Sequence, residues 1–127
     1  MGNRLTNNVV IGTIGELLVQ TRLLQYGVQA AVPIKDSGND LIAVKGEAFR
    51  GIQVKTTIRR RVSSVRLPER YHIVAVVYLV LDDEGVLLDE SEVYLVPCSA
   101  IEQNRGRLPA QLDPFLISQW HVDRLFQ

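Results

Sequence analysis

Cysteine is nearly absent from this chain: there is one, Cys98, in 127 residues. A lone thiol forms no internal disulfide. Nor does it leave a zinc-ligand pattern, since His72 and His121 are far apart and neither has a partner at ligand spacing. The scarcity fits a reducing compartment, so a cytoplasmic protein is expected. Long apolar runs are missing too. The longest, residues 73–81, has strand length and falls short of the roughly 18 residues that span a bilayer. The opening MGNRLTNN is polar and lacks the apolar centre of a secretory signal. No membrane partner is therefore expected. Internal repeats and low-complexity linkers are absent, and 127 residues suit a single domain covering 1–127.

Net charge is also missing, because 14 Lys and Arg balance 14 Asp and Glu. Zero charge would argue against a nucleic-acid partner if it were evenly spread, but it is segregated. From residue 45 to residue 70 there are eight Lys or Arg and two Glu; from residue 82 to residue 102 there are seven acids and no base. The chain is therefore dipolar. The basic segment reads as a phosphate-contacting surface or, with the acidic one, as two solvated faces of opposite sign. A hydrophobic content of 46% with 22% charged residues places the chain outside the disordered class.

What is present begins with a helix. Residues 9–26 carry Val10, Ile14, Leu17, Leu18 and Leu24 at helical spacings, which predicts that these face the core. Asn7 or Asn8 can cap its start, and Gly27 follows its end as a C-terminal cap glycine. Gly12 and Gly15 each weaken such a helix by about 1 kcal/mol relative to Ala. Two reasons for a glycine suggest themselves: close packing on a sheet, or close approach of a ligand. Short strands are expected over 28–34, 40–44 and 50–57, the last two forming a hairpin behind the turn KDSGN. The run 72–81 reads as a central strand buried on both faces. After a DDEG hairpin turn, residues 92–97 form another strand, and Ser99 caps a short helix. The tail after Gly106 has no clear assignment. Tyr71, Phe115 and Trp120 read as core or interface aromatics. The order gives an α/β protein with a mixed central sheet of about five strands flanked by helices.

Chemistry concentrates on that hairpin. Asp40 opens one strand, and the triplet Gln53-Val54-Lys55 lies near the end of the next. Strand alternation puts Gln53 and Lys55 on one face, about 7 Å apart. Packed beside them, helix-borne Glu16 would add a second carboxylate. Two carboxylates, an amide oxygen and an ammonium suit Mg²⁺ or Mn²⁺, hard cations that take oxygen ligands and keep waters. With a lysine to orient water, this is equipment for metal-assisted phosphodiester hydrolysis. A surface ion pair between Asp40 and Lys55 accounts for the same residues, at a worth of about 0–1 kcal/mol.

The run from Gly12 to Thr57 resembles the PD-(D/E)XK nuclease superfamily, which includes type II restriction enzymes, archaeal Holliday-junction resolvases and one class of homing endonucleases. The resemblance rests on Glu16, on Asp40 after Ser37-Gly38-Asn39, on Gln53-Val54-Lys55 and on the later segment EVYLVPCSAIE. It implies a restriction-endonuclease-like fold with an αβββαβ-type core and a metal-dependent DNA endonuclease. Catalysis would fall to Glu16, Asp40, Gln53 and Lys55. Metal ligation would fall to Asp40, Gln53 and Glu16, joined by the Val54 backbone carbonyl. Gln53 departs from the usual acid and removes one negative charge, although the homing-endonuclease branch carries Gln there. DNA contact is assigned to Ser37, Asn39 and Thr56 and to Arg59, Arg60, Arg61 and Arg66. Cutting two strands with one site per chain implies a homodimer or larger symmetric assembly, with residues 92–97 or the tail as interface. The alternative is a catalytically inactive nucleic-acid-binding or protein-interaction module on the same fold.

Overall fold

In the computed structural model, which describes residues 8–35, 38–60 and 66–127, the first helix, α1, runs over Asn8–Gln25. Asn7, Ser37 and Arg61 lie outside the described residues. Gly27 ends the helix as expected: its φ of 82° is left-handed, and the N–H groups of Gly27 and Val28 turn back to the carbonyls of Leu24 and Leu23 at 3.0 Å each. The phase of α1 meets expectation at Ile14 and Leu18 and differs from it at Val10, Leu17 and Leu24. Ile11, Gly15, Leu18, Val19 and Leu23 face inward, whereas Val10, Leu17 and Leu24 are 38, 57 and 64% exposed. Apolar residues occupy both sides of this helix, so periodicity permits two phases. The close seat that Gly15 allows selects between them.

The strands are β1 (Gln29–Ala31), β2 (Leu41–Lys45), β3 (Ala48–Thr57), β4 (Ile73–Tyr78), β5 (Leu81–Asp82), β6 (Gly85–Val86) and β7 (Glu92–Pro97). Five of them form a mixed sheet in the order β1-β2-β3-β4-β7, with β3 and β4 parallel and the other neighbours antiparallel. β5 and β6 make a separate hairpin. Its turn is built by Asp82 Oδ1, which accepts from the N–H groups of Glu84 and Gly85. The connector from β3 to β4 carries no helix in its described parts.

Burial explains the layers. β4 is an interior strand between β3 and β7, and Ile73 through Val77 are at most 1% exposed. One face packs Leu41, Ala43, Ile52, Ile73 and Ala75 against α1, and α3 (Gln119–Leu125) adds Val122 to this core. The other face packs Val74, Val76 and Val96 under Ile101 of α2 (Cys98–Gln103), with Tyr71 and Phe115 at its margin. Each fully buried large aliphatic is worth about 1.5–3 kcal/mol, so the two-sided burial of β4 anchors the fold.

The C-terminal third corrects two expectations and gives the tail its structure. β7 runs straight into α2 at Pro97, so Ser99 is inside the helix and is not its cap. The tail forms a 3-10 turn over Asp113–Phe115 and then α3, whose cap is Ser118 Oγ, accepting from His121 N–H at 3.1 Å. β7 itself is a poor interface, because Val93 to Val96 are buried in the chain's own two cores. Its outer edge is also partnered: Ile117 N–H donates to Val93 O at 3.0 Å, and Leu116 bridges Tyr94. Trp120 is no core residue. It is 66% exposed, with the Arg124 guanidinium 4.6 Å from its ring centre. Among the described residues no helix is long and apolar enough to cross a membrane.

Candidate active site

β3 is twice as long as its hairpin partner, and the site follows from that mismatch. Residues 48–52 pair with β2, whose ladder ends at Leu41 opposite Ile52 and is extended by the Asp40 N–H bond to Ile52 O. Residues 53–57 pair only with β4, so their β2-facing edge is open. Asp40 stands at the corner where β2 stops. Its Oδ2 accepts from Val54 N–H at 2.8 Å, taking the place of the missing strand. The Val54 carbonyl leaves the strand on the same side as its N–H and so faces the gap.

Helix α1 covers the gap. Gly15 lies so close to β3 that a Cβ there would come within 1.8 Å of Thr56 Oγ1. A one-residue step along the helix then brings Glu16 to the cleft. By register, Gln53 and Lys55 pair with Val74 and Val76 and belong to the sheet face away from α1, while Val54 and Thr56 face the helix. The open edge lets groups from both faces meet. Glu16, Asp40, Gln53, Val54, Lys55 and Thr56 line one cleft of about 460 Å³, bounded on the helix side by Asn8, Ile11 and Gly12.

The site gathers two carboxylates and unpartnered oxygens in one place. Burial and then the nearby Asp40 charge push the Glu16 carboxyl above its ordinary value, so the two carboxylates share one field. Gln53 Oε1 is shielded from solvent and has no hydrogen-bond partner among the described residues, and Thr56 Oγ1 is in the same state. An orphaned buried acceptor costs about 1–3 kcal/mol unless something binds it. Two carboxylates, an orphaned amide oxygen and a backbone carbonyl make a hard-oxygen donor set that fits Mg²⁺ or Mn²⁺. Among the described residues no cluster of three His, Cys, Asp or Glu offers a zinc-type alternative. The surface ion pair is ruled out in this structure: Asp40 is turned onto Val54, and Asp40 and Lys55 form no ion pair.

The residues assigned to DNA contact fare differently. Arg59 and Arg60 border a neighbouring cleft of about 270 Å³ with Thr57, Tyr78 and Tyr94. The Arg60 guanidinium is stacked 4.4 Å from the Tyr78 ring centre and paired with Glu92 at 2.9 Å, and Tyr94 OH donates to the other Glu92 oxygen at 3.0 Å. Arg66 is exposed. Asn39 holds local structure: its Nδ2 donates to Arg70 O at 3.0 Å, and its side chain lies against Gly51. Thr56 is the seat of Gly15. Sequence reasoning missed Asn8 and Ile11 as cleft walls; Gly12 reads in the sequence, with Gly15, as a place of close packing or of close approach by a ligand. Stepping back from Glu16 by helical intervals of four would have found Asn8 and Gly12.

No protein-family model matches this sequence, and no curated protein matches it. Among solved structures, the fold is similar to that of a bacterial homing endonuclease, I-Ssp6803I, with a TM-score of 0.62 and 16% identity over 92% of this chain and 91% of that one.

Proposed function

We propose that this chain is a Mg²⁺- or Mn²⁺-dependent DNA endonuclease of the PD-(D/E)XK type, hydrolysing phosphodiester bonds at a specific site or a branched structure. The observation that carries this reading is the meeting of Glu16, Asp40, Gln53 and Lys55 in one cleft with the Gln53 carbonyl oxygen unpartnered. The shared fold with a homing endonuclease supports it.

Asp40, Gln53 Oε1 and the Val54 carbonyl would hold the cation, with Glu16 joining directly or through water. A bound divalent cation polarises the phosphoryl oxygen and lowers the pKa of water. Val54 N–H keeps Asp40 oriented through its 2.8 Å bond. The Lys55 ammonium positions the attacking water and donates to the phosphate as charge builds on it. Arg59, Arg60 and Arg66 contact the duplex backbone, Arg60 by exchanging Glu92 for phosphate. In-line attack leaves a 5′-phosphate and a 3′-hydroxyl. A homodimer supplies the second site for the second strand.

The missing charge at Gln53 favours one rival, a module that binds nucleic acid without cutting. Incubation with supercoiled plasmid and branched junctions in Mg²⁺ or Mn²⁺ separates the two. Cutting that is lost in Lys55→Ala and in Asp40→Asn supports the nuclease; Asp40→Asn keeps an acceptor for Val54 N–H while removing the charge. Binding without cutting by the unsubstituted chain, in either cation, means that the module reading is correct.

A further inference from the structure

The cleft is larger than a cation requires. At about 30 Å³ per water, a six-coordinate hydrated cation fills roughly 180 Å³, well under half of the 460 Å³ available. The cleft extends along α1, where Asn8 and Gly12 precede Glu16 at four-residue steps and share its face of the helix. The two glycines of this helix have opposite surroundings. A Cβ on Gly15 would collide with Thr56, whereas a Cβ on Gly12 would meet nothing within 4 Å among the described residues. Gly12 is also not among the residues with positive φ. Neither packing nor backbone conformation therefore requires glycine at position 12. A helix-weakening residue faces open space beside the candidate cation ligands.

We propose that the bare Cα of Gly12 is a docking surface for the sugar–phosphate chain beside the scissile phosphate. The Asn8 side-chain amide donates to the next phosphate along the strand. This rests on the nuclease reading and adds to it the wall of the cleft along which the strand enters. A sugar edge carries no charge to be matched, so what recognises it is clearance and van der Waals contact, both of which a glycine backbone supplies. Any side chain at this position occupies the space the strand needs.

The test is a series, Gly12→Ala and Gly12→Leu, in the full chain. Three quantities are read: the thermal midpoint, the affinity for a short fluorescent duplex with Ca²⁺ in place of Mg²⁺, and hydrolysis of that duplex against bis(p-nitrophenyl) phosphate, a diester with no sugar. Gly12→Ala should raise the midpoint by a few degrees, because the helix improves and nothing is displaced. Gly12→Leu should weaken duplex binding and cutting by about tenfold, with Gly12→Ala between, and the loss on the duplex should exceed any loss on the small ester. Duplex binding and cutting by Gly12→Leu at the unsubstituted level would overturn the proposal. So would a lowered midpoint in both variants, which makes Gly12 a packing glycine. Lys55→Ala, run in parallel, separates this from the nuclease reading. If Lys55→Ala still cuts, that reading falls while the Gly12 effect on binding stands; a chain that binds no duplex overturns both.

Discussion

The two halves of β3 differ in what lies along their β2-facing edge. From residue 48 to residue 52 the edge is laddered to β2, and Ile52 is fully buried in the core under α1. From residue 53 to residue 57 the ladder is gone; a carboxylate bonds Val54 N–H, and Gln53 Oε1 and Thr56 Oγ1 are left without partners. The first half is satisfied and the second is not, within a single strand of ten residues. Ending β2 early leaves the second half of β3 with an open edge. It lets polar groups from both sheet faces, and from a helix, converge without a dedicated loop.

That contrast can be broken most severely by single substitutions in each half. Lys55→Ala should lower cutting by about 10²–10⁴-fold, the scale of a lost proton-handling group, with the thermal midpoint almost unchanged. Ile52→Ala, three residues away, should cost about 2–5 kcal/mol of stability through the cavity it opens. Its cutting should fall only as the folded fraction falls. Equal loss of midpoint in the two variants would erase the distinction between the halves; thermal melts beside plasmid nicking decide it.

A smaller effect is expected where the helix is seated on the open half. Gly15→Ala should destabilise by about 1–3 kcal/mol, because its methyl meets Thr56 and not solvent. Thr56→Ala in the same chain should restore part of that loss, since it removes the nearest oxygen. Denaturant unfolding of the single and double variants measures the coupling.

The smallest effect concerns Glu16, whose carboxyl is held above its ordinary value of 4.5 by burial and by Asp40. A carboxyl with a raised folded value favours folding below its unfolded value, and that contribution is lost as pH rises through the folded one. In the presence of chelator, Glu16→Gln should therefore melt slightly higher than the unsubstituted chain at pH 7 and no higher at pH 3. With saturating Mn²⁺ at pH 7 the order should reverse, because the ionised carboxylate then has a cation to meet. Partial exposure keeps both differences small.

Much of the open half was legible in the sequence because strand alternation and hairpin pairing are local. Asp40, Gln53 and Lys55 could be placed from spacing, and β4 from an unbroken apolar run. The phase of α1 could not be. Val10, Leu17 and Leu24 look as inward as Ile11, Leu18 and Leu23, and the decisive inward residue is Gly15, which has no hydrophobic signal. Of the two explanations first considered, packing holds for Gly15 and not for Gly12, which faces open space among the described residues. The hold on Arg60 was equally hidden, since Tyr78, Glu92 and Tyr94 reach it only through the β4–β7 pairing. The tail's course over β7 depends on the same edge, which no local pattern in residues 107–127 announces.

The central claim is that the early end of β2 leaves an oxygen-lined place for a divalent cation. Anomalous diffraction from crystals soaked in Mn²⁺ tests it most directly. The account predicts one strong peak inside the cleft, in contact with Asp40, Gln53 Oε1 and the Val54 carbonyl, with Glu16 within one water of it. Well-ordered side chains with no anomalous peak among them, at Mn²⁺ concentrations that support binding elsewhere, would contradict it.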